Sequence, residues 1–236
     1  MYIAFFSLII IYIAFFIFVI YKRISRFQDR PVTEKIKLGT YYYLICGLWG
    51  GTSIVLIICL IARLNFDVIG IKQLNFNYGF WFTSITLILC GLLFFSGLYQ
   101  LISSLLSKKY KEAAEKQYGN HIVLSGILPR TKKEKWLFVL LSLSAGICEE
   151  IIFRGFLLYL LQAIFPNIPL FLITLITCTL FGISHFYQRL QGIIVSMIFG
   201  VLFMSLYIVT GSLILPIFLH FFQDFSSTFT LSEKQK

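Results

Sequence analysis

From Trp136 to Leu231 the chain is almost wholly apolar, and its only Asp, Glu, Lys, Arg and His residues there are Glu149, Glu150, Arg154, His185, Arg189, His220 and Asp224. Backbone polar groups in lipid must be bonded within the protein, so such a chain crosses as helices or as a closed barrel. The apolar stretches are continuous rather than alternating, which argues against a barrel. A charge at membrane depth costs about 2.5–3.5 kcal/mol on insertion scales. Two adjacent carboxylates at that depth therefore point to chemistry.

The expected fold class is all-α, a polytopic transmembrane helix bundle. Spans of about 20 apolar residues fall at Ile3–Tyr21, Tyr41–Ala62, Phe80–Leu101, Trp136–Leu161, Pro169–Phe186, Gln191–Val209 and Leu213–Phe229, about seven in all. Composition agrees: 58% of the chain is hydrophobic and 13% charged, against about 25% charged in a soluble domain. The first segment lacks a charged n-region and is followed by basic residues, so we expect a retained first helix rather than a signal peptide.

The net charge is +10, but the basic residues sit between apolar runs, where they orient helices and meet anionic headgroups. No nucleic-acid partner is expected; the lipid bilayer is. Lys22, Arg23, Arg26, Arg30, Lys35 and Lys37 mark one loop. Lys108, Lys109, Lys111, Lys116, Arg130, Lys132, Lys133 and Lys135 mark another. The intervening loop holds only Arg63 and Lys72, and the turn Phe165-Pro166-Asn167-Ile168 holds no charge. The positive-inside rule then places the N-terminus outside and the C-terminus in the cytoplasm of a cell whose plasma membrane holds the protein. Asn65–Asn77 reads equally as an interfacial stretch or a plain loop, and Lys108–Lys135 as a basic cytoplasmic loop. The Ile-, Phe- and Lys-rich composition fits an AT-rich bacterium. Cys46, Cys59, Cys90, Cys148 and Cys178 form no CxxC pair and are expected to be small buried residues.

Among the expected helices, the first three contain essentially no Asp, Glu, Lys, Arg or His, and the last four contain them all. We expect residues 1–135 to form a three-helix scaffold with basic cytoplasmic loops, and 136–236 to form the chemical core. Within the core, Glu150 and Arg154 are four apart and can pair along one helix face. Glu149 is turned about 100° away and can face the bundle interior, where desolvation makes a carboxylate a competent general base. Phe181 and His185 share a face, as do His220 and Asp224. Asp224 can orient an imidazole, accept a backbone bond, or sit near a reacting oxygen. No GxSxG surrounds a serine and no HExxH is present, so a serine mechanism and a standard zincin lack support. Water activated by Glu149 with His185 remains, with His220 and Asp224 stabilising an oxyanion or holding a metal. Two His and one Glu also suffice for a catalytic zinc site, which would use Glu149, His185 and His220.

The order EExxxR, FxxxH, HxxxN/D on successive helices resembles the CAAX protease and bacteriocin-processing family, also called the Abi family of intramembrane proteases. The motifs here are Glu149-Glu150…Arg154, Phe181…His185 and His220…Asp224, and Tyr207–Leu213 resembles the family's helix-connecting turn. The resemblance covers about Leu137 to Ser227. It implies a membrane endopeptidase with a cavity in the bundle, acting on a peptide or membrane-protein substrate. By that likeness Glu149 and His185 activate water, His220 and Asp224 support the oxyanion, and Glu150 and Arg154, with Phe181, hold the site in shape. Many members carry asparagine where this chain has Asp224. A divalent metal such as zinc is an open possibility, and metal-free catalysis is slightly favoured because Glu149 and His185 can activate water unaided. The alternative functions are a non-enzymatic bacteriocin-immunity or sensor-partner protein, and a small transporter using the buried charges as a proton relay.

Overall fold

The computed structural model describes residues 1–29, 32–76, 78–118 and 122–232. Arg30, Asn77 and the end of the chain, 233–236, lie outside it, as does the side chain of Arg26. The described residues form an all-α bundle: α1 (Tyr2–Asp29), α2 (Glu34–Ile61), α3 (Phe80–Leu106), α4 (Lys108–Tyr118), α5 (Ile122–Ile127), α6 (Lys132–Glu149), α7 (Leu158–Ile164), α8 (Leu170–Ser184), α9 (Arg189–Thr210) and α10 (Ile214–Ser226). A π-helical segment, Glu150–Leu157, joins α6 to α7, so that Lys132–Ile164 runs as one 33-residue helix. No strand occurs among the described residues.

Among the described residues five helices are long and apolar enough to cross a membrane: Tyr2–Ser25, Glu34–Ile61, Phe80–Leu106, Lys132–Ile164 and Phe186–Thr210. All seven expected spans are helical, but α8 and α10 have only 15 and 13 residues. At 1.5 Å per residue they reach roughly 20–23 Å, short of a hydrocarbon core of about 30 Å. The polar run beginning at His185 ends α8, and the Gly211–Ser212 turn delays α10. Elsewhere helices outrun their apolar stretches, because backbone bonding continues past the first charges. Thr33 caps α2 ahead of Lys35 and Lys37. Thr131 and Glu134 form a capping box ahead of Trp136.

The 33-residue helix is central. Its most apolar window is 61% buried, against 11–39% for the other four. Around the π segment, Ile9, Val55, Ile58, Phe156, Leu160 and Met204 pack into the main core. Toward the basic end, Ile20, Ile24, Tyr41, Leu44 and Phe138 pack into a second. Gly146 brings α6 against α10: a Cβ there would lie 3.0 Å from the Phe221 nitrogen and 3.1 Å from the Ile217 oxygen. The outer surface carries Ile3, Phe15, Trp81, Phe95, Leu106 and Leu190 exposed, as a lipid-facing surface requires.

One connection differs from expectation. The basic segment 108–135 contains helices α4 and α5 rather than a plain loop, and Arg130 clamps Glu115 of α4 through two bonds of 2.6 and 2.8 Å. Lys37 of α2 meets Glu134 at 3.6 Å and donates to the Leu128 carbonyl at 2.6 Å, while the Tyr41 hydroxyl donates to the Ile127 carbonyl. These bonds fasten α5 over the basic end of the bundle. At the opposite end, the connection after α2 makes a 3-10 turn, Phe66–Ile69, and then docks. Asn75 donates to Thr210 and Leu213 to Gly70 through the backbone. Cys46 is exposed, against the expectation of burial; Cys59, Cys90, Cys148 and Cys178 are buried.

Candidate active site

Glu149 and Glu150 stand where α6 becomes π-helical. The π geometry is confined to Glu150–Leu157, all of it buried. Such bulges are rare and concentrate at functional sites. Here Gly155 lets the 65–76 connection press on the bulge, since a Cβ would come 2.4 Å from the Ile69 oxygen.

Glu150 is fully buried and holds two partners. Its Oε1 lies 2.9 Å from an Arg154 guanidinium nitrogen and 2.8 Å from His220 Nδ1. Arg154, itself 1% exposed, lies over the Phe181 ring at 4.0 Å and the Phe203 ring at 5.5 Å. Phe203 also stacks on the His220 ring at 5.1 Å. A buried cation between aromatic faces and a carboxylate is stabilised twice over, by the ring quadrupoles and by the ion pair. The arrangement fixes His220 from α10 against the π segment. With Nδ1–H given to Glu150, Nε2 points the other way, toward Glu149.

His185 is the residue that caps α8 rather than a mid-helix residue. There its Nδ1 comes within 3.0 Å of the Phe181 carbonyl and 3.1 Å of Ser184 Oγ, which itself donates to that carbonyl at 2.7 Å. A neutral His185 that donates Nδ1–H carries its lone pair on Nε2. That atom is 3.9 Å from Glu149 Oε2, and His220 Nε2 is 3.8 Å from the same oxygen. These separations exceed a direct hydrogen bond and leave room for one small oxygen species between them. Glu149 Oε2 is buried and has no hydrogen-bond partner among the described residues.

Asp224 Oδ2 lies 3.9 Å from His220 Nε2. Of the roles open to it, direct orientation of that imidazole is ruled out by the distance; Glu150 orients it instead. Glu149, His185, His220 and Asp224 together line a cavity of about 180 Å³, whose apolar wall includes Tyr12, Phe16 and Leu48 from α1 and α2. Among the described residues no group of three or more His, Cys, Asp and Glu side chains has a metal-site arrangement.

Residues 131–226 match the family model described as "Type II CAAX prenyl endopeptidase Rce1-like". Over this segment the chain is similar to the Rce1-like family. No curated protein and no solved structure matches the chain. That likeness supports a CAAX-type intramembrane endopeptidase in general, a peptide hydrolase set in a lipid bilayer.

All seven motif residues fall inside the matched segment; Glu149, His185, His220 and Asp224 line the cavity, and Glu150, Arg154 and Phe181 contact them or one another without lining it. Two relationships escaped the sequence. The Glu150–His220 bond joins residues 70 apart, which helical spacing cannot reveal. Tyr187 lines the cavity beside His185, with ring centroids 6.0 Å apart. Its signal was a hydroxyl-bearing aromatic two residues past the motif histidine, in the Ser-His-Phe-Tyr-Gln-Arg run.

Proposed function

We propose that the protein is an intramembrane endopeptidase that hydrolyses peptide bonds with water activated by Glu149 and His185. The observation that carries this reading is the bare Glu149 Oε2, buried and facing two imidazole nitrogens at 3.8 and 3.9 Å. A water in that gap donates one proton to Glu149 and the other to the His185 lone pair. Glu149 takes its proton as the water oxygen bonds to the substrate carbonyl carbon. The carbonyl oxygen becomes an oxyanion, which protonated His220 meets through Nε2–H while Glu150 balances the imidazolium. Asp224 supports the same oxyanion as the protonated acid, because an ionised carboxylate has no hydrogen to donate. The C–N bond then breaks, and the proton held by Glu149 passes to the leaving amine.

Glu150, Arg154 and Phe181 position these groups and touch no substrate. Helices α1 and α2 serve as the access wall of a C-terminal core, residues 136–236. Should a divalent ion bind, Glu149, His185 and His220 are the residues that would hold it, and it would supply Lewis-acid activation of water. The proposed setting is a bacterial plasma membrane, with the N-terminus outside and the basic end of the bundle in the cytoplasm.

Glu149→Gln tests the assignment. In proteoliposomes with a fluorogenic peptide, the variant should insert and melt like wild type yet cleave nothing, since the amide keeps the shape and cannot take the proton. Cleavage within a few-fold of wild type would remove Glu149 from the mechanism.

A further inference from the structure

Tyr187 stands two residues past His185, in the 3-10 turn Phe186–Gln188 that follows α8. The Gln188 backbone nitrogen donates to the His185 carbonyl at 2.9 Å and closes the turn. Arg189 follows with a φ of 65°, a left-handed value that favours glycine, and residues held in that region gather at active sites. The tight turn keeps Tyr187 beside His185, with ring centroids 6.0 Å apart, in the wall of the active-site cavity.

The hydroxyl end of Tyr187 faces that cavity. Gln188 Nε2 donates to it at 3.1 Å, and Gln188 lines the same cavity. Its acidic neighbours are Glu149 and Asp224, which line the cavity too. Gly192, one turn into α9, leaves room for the Gln188 side chain: a Cβ there would lie 2.2 Å from the Gln188 Cβ. With Gln188 as its donor, the Tyr187 hydroxyl keeps its own hydrogen to give, and it gives it to no group among the described residues. The other side-chain donors to the oxyanion are conditional. His220 commits Nδ1–H to Glu150, so it offers Nε2–H only as imidazolium, and Asp224 offers a hydrogen only as the protonated acid. An ordinary phenol carries its hydrogen at any pH below about 10 and adds no charge.

We infer that Tyr187 is a further catalytic residue, whose hydroxyl donates a hydrogen bond to the oxyanion formed as water adds to the scissile carbonyl. The inference rests on the endopeptidase reading for the identity of the reaction. The phenol hydrogen stays on Tyr187 throughout, so the bonds made and broken are those of the hydrolysis itself. The oxyanion forms beside Asp224, where a donor that needs no prior protonation counts most. Tyr187 therefore acts on the transition state and contributes little to holding the uncleaved peptide, whose carbonyl carries less charge.

The test compares full-length wild type and Tyr187→Phe in phosphatidylcholine proteoliposomes. Phe keeps the ring in the cavity wall and removes only the donor, so the variant should melt like wild type. Its kcat on a fluorogenic peptide should fall about 100-fold, the cost of one oxyanion donor, with KM unchanged. A peptide phosphinate, whose anionic oxygens stand where the oxyanion forms, should bind Tyr187→Phe more weakly by about the same factor. The uncleaved peptide, measured on Glu149→Gln with and without Tyr187→Phe, should bind equally. Cleavage by Tyr187→Phe within a few-fold of wild type overturns the inference and leaves the endopeptidase reading standing. So does an equal loss of affinity for phosphinate and uncleaved peptide, which would make Tyr187 part of the binding wall alone. A wild type that cleaves no peptide sinks the endopeptidase reading, and the inference with it.

Discussion

Glu150 and His220, on helices that meet only through the fold, share a 2.8 Å hydrogen bond whose acceptor oxygen also faces Arg154 at 2.9 Å. One carboxylate thus joins the EExxxR and HxxxD motifs. It fixes an imidazole with its Nδ1–H inward and its Nε2 on the cavity. The two glutamates are adjacent in sequence and opposite in role: Oε2 of Glu149 is bare and faces the cavity, while Oε1 of Glu150 meets both His220 and Arg154 in the core.

Glu150→Gln should therefore damage the protein in a way Glu149→Gln does not. Gln still accepts from His220 but leaves the Arg154 cation uncompensated, and breaking a buried pair costs about 3–5 kcal/mol. Thermal unfolding in detergent should show a markedly lower midpoint for Glu150→Gln and an unchanged one for Glu149→Gln. Equal midpoints would mean that Arg154 draws its compensation elsewhere.

Phe181 is an aromatic for the sake of Arg154. Phe181→Leu keeps most of the buried apolar area but removes a ring 4.0 Å from the guanidinium. The loss should be about 2 kcal/mol, the value of a desolvated cation–π contact, read as a shift in unfolding free energy. Phe181→Tyr, which preserves the ring face, should lose less if the hydroxyl can be accommodated.

Gly146 controls the distance between the two halves of the site. Gly146→Ala would push on backbone atoms of α10 at 3.0 and 3.1 Å, moving His220 and Asp224 away from Glu149. Misplacement by 1 Å can cost about 100-fold in rate, so a shift of a few tenths should lower kcat several-fold while KM changes little. Steady-state kinetics on the reconstituted variant reads the split.

Asp224→Asn bears on the metal question. In the metal-free mechanism an amide donates to the oxyanion in every protonation state, so the variant should be as fast as wild type or faster. If Asp224 supports a bound ion instead, the same change should cost about 10–100-fold in affinity or activity. Elemental analysis beside the measured rate separates the two.

Much of this site was legible because helical spacing exposes residues that share a face. Glu150 with Arg154, Phe181 with His185 and His220 with Asp224 are all four apart, and each pair proved to be in contact or nearly so. The Glu150–His220 bond crosses between helices and leaves no trace in local spacing. The π segment was hidden too, since nothing in Glu-Ile-Ile-Phe-Arg-Gly-Phe-Leu departs from α-helical patterning. Helix α4 was overlooked for another reason. Its charge density reads as solvated loop, while Glu112–Lys116 is also the i,i+4 pairing that supports a helix. The positive φ of 65° at Arg189 is a backbone property and shows no side-chain signature.

The π segment also acts as a gear. A widened turn delays the helix by one position, which in α-helical terms is a rotation of about 100° between the turns before Glu149 and those after Leu157. On the near side, Phe138, Leu141 and Ala145 serve the core at the basic end; on the far side, Leu158, Leu160 and Leu161 serve the other. Regular α winding of all eight residues of 150–157 would turn α7 away from its neighbours by that angle, even with every motif residue kept, and only a one-residue deletion would cancel the rotation. The spacing of that stretch is thus under a constraint of phase as well as of chemistry.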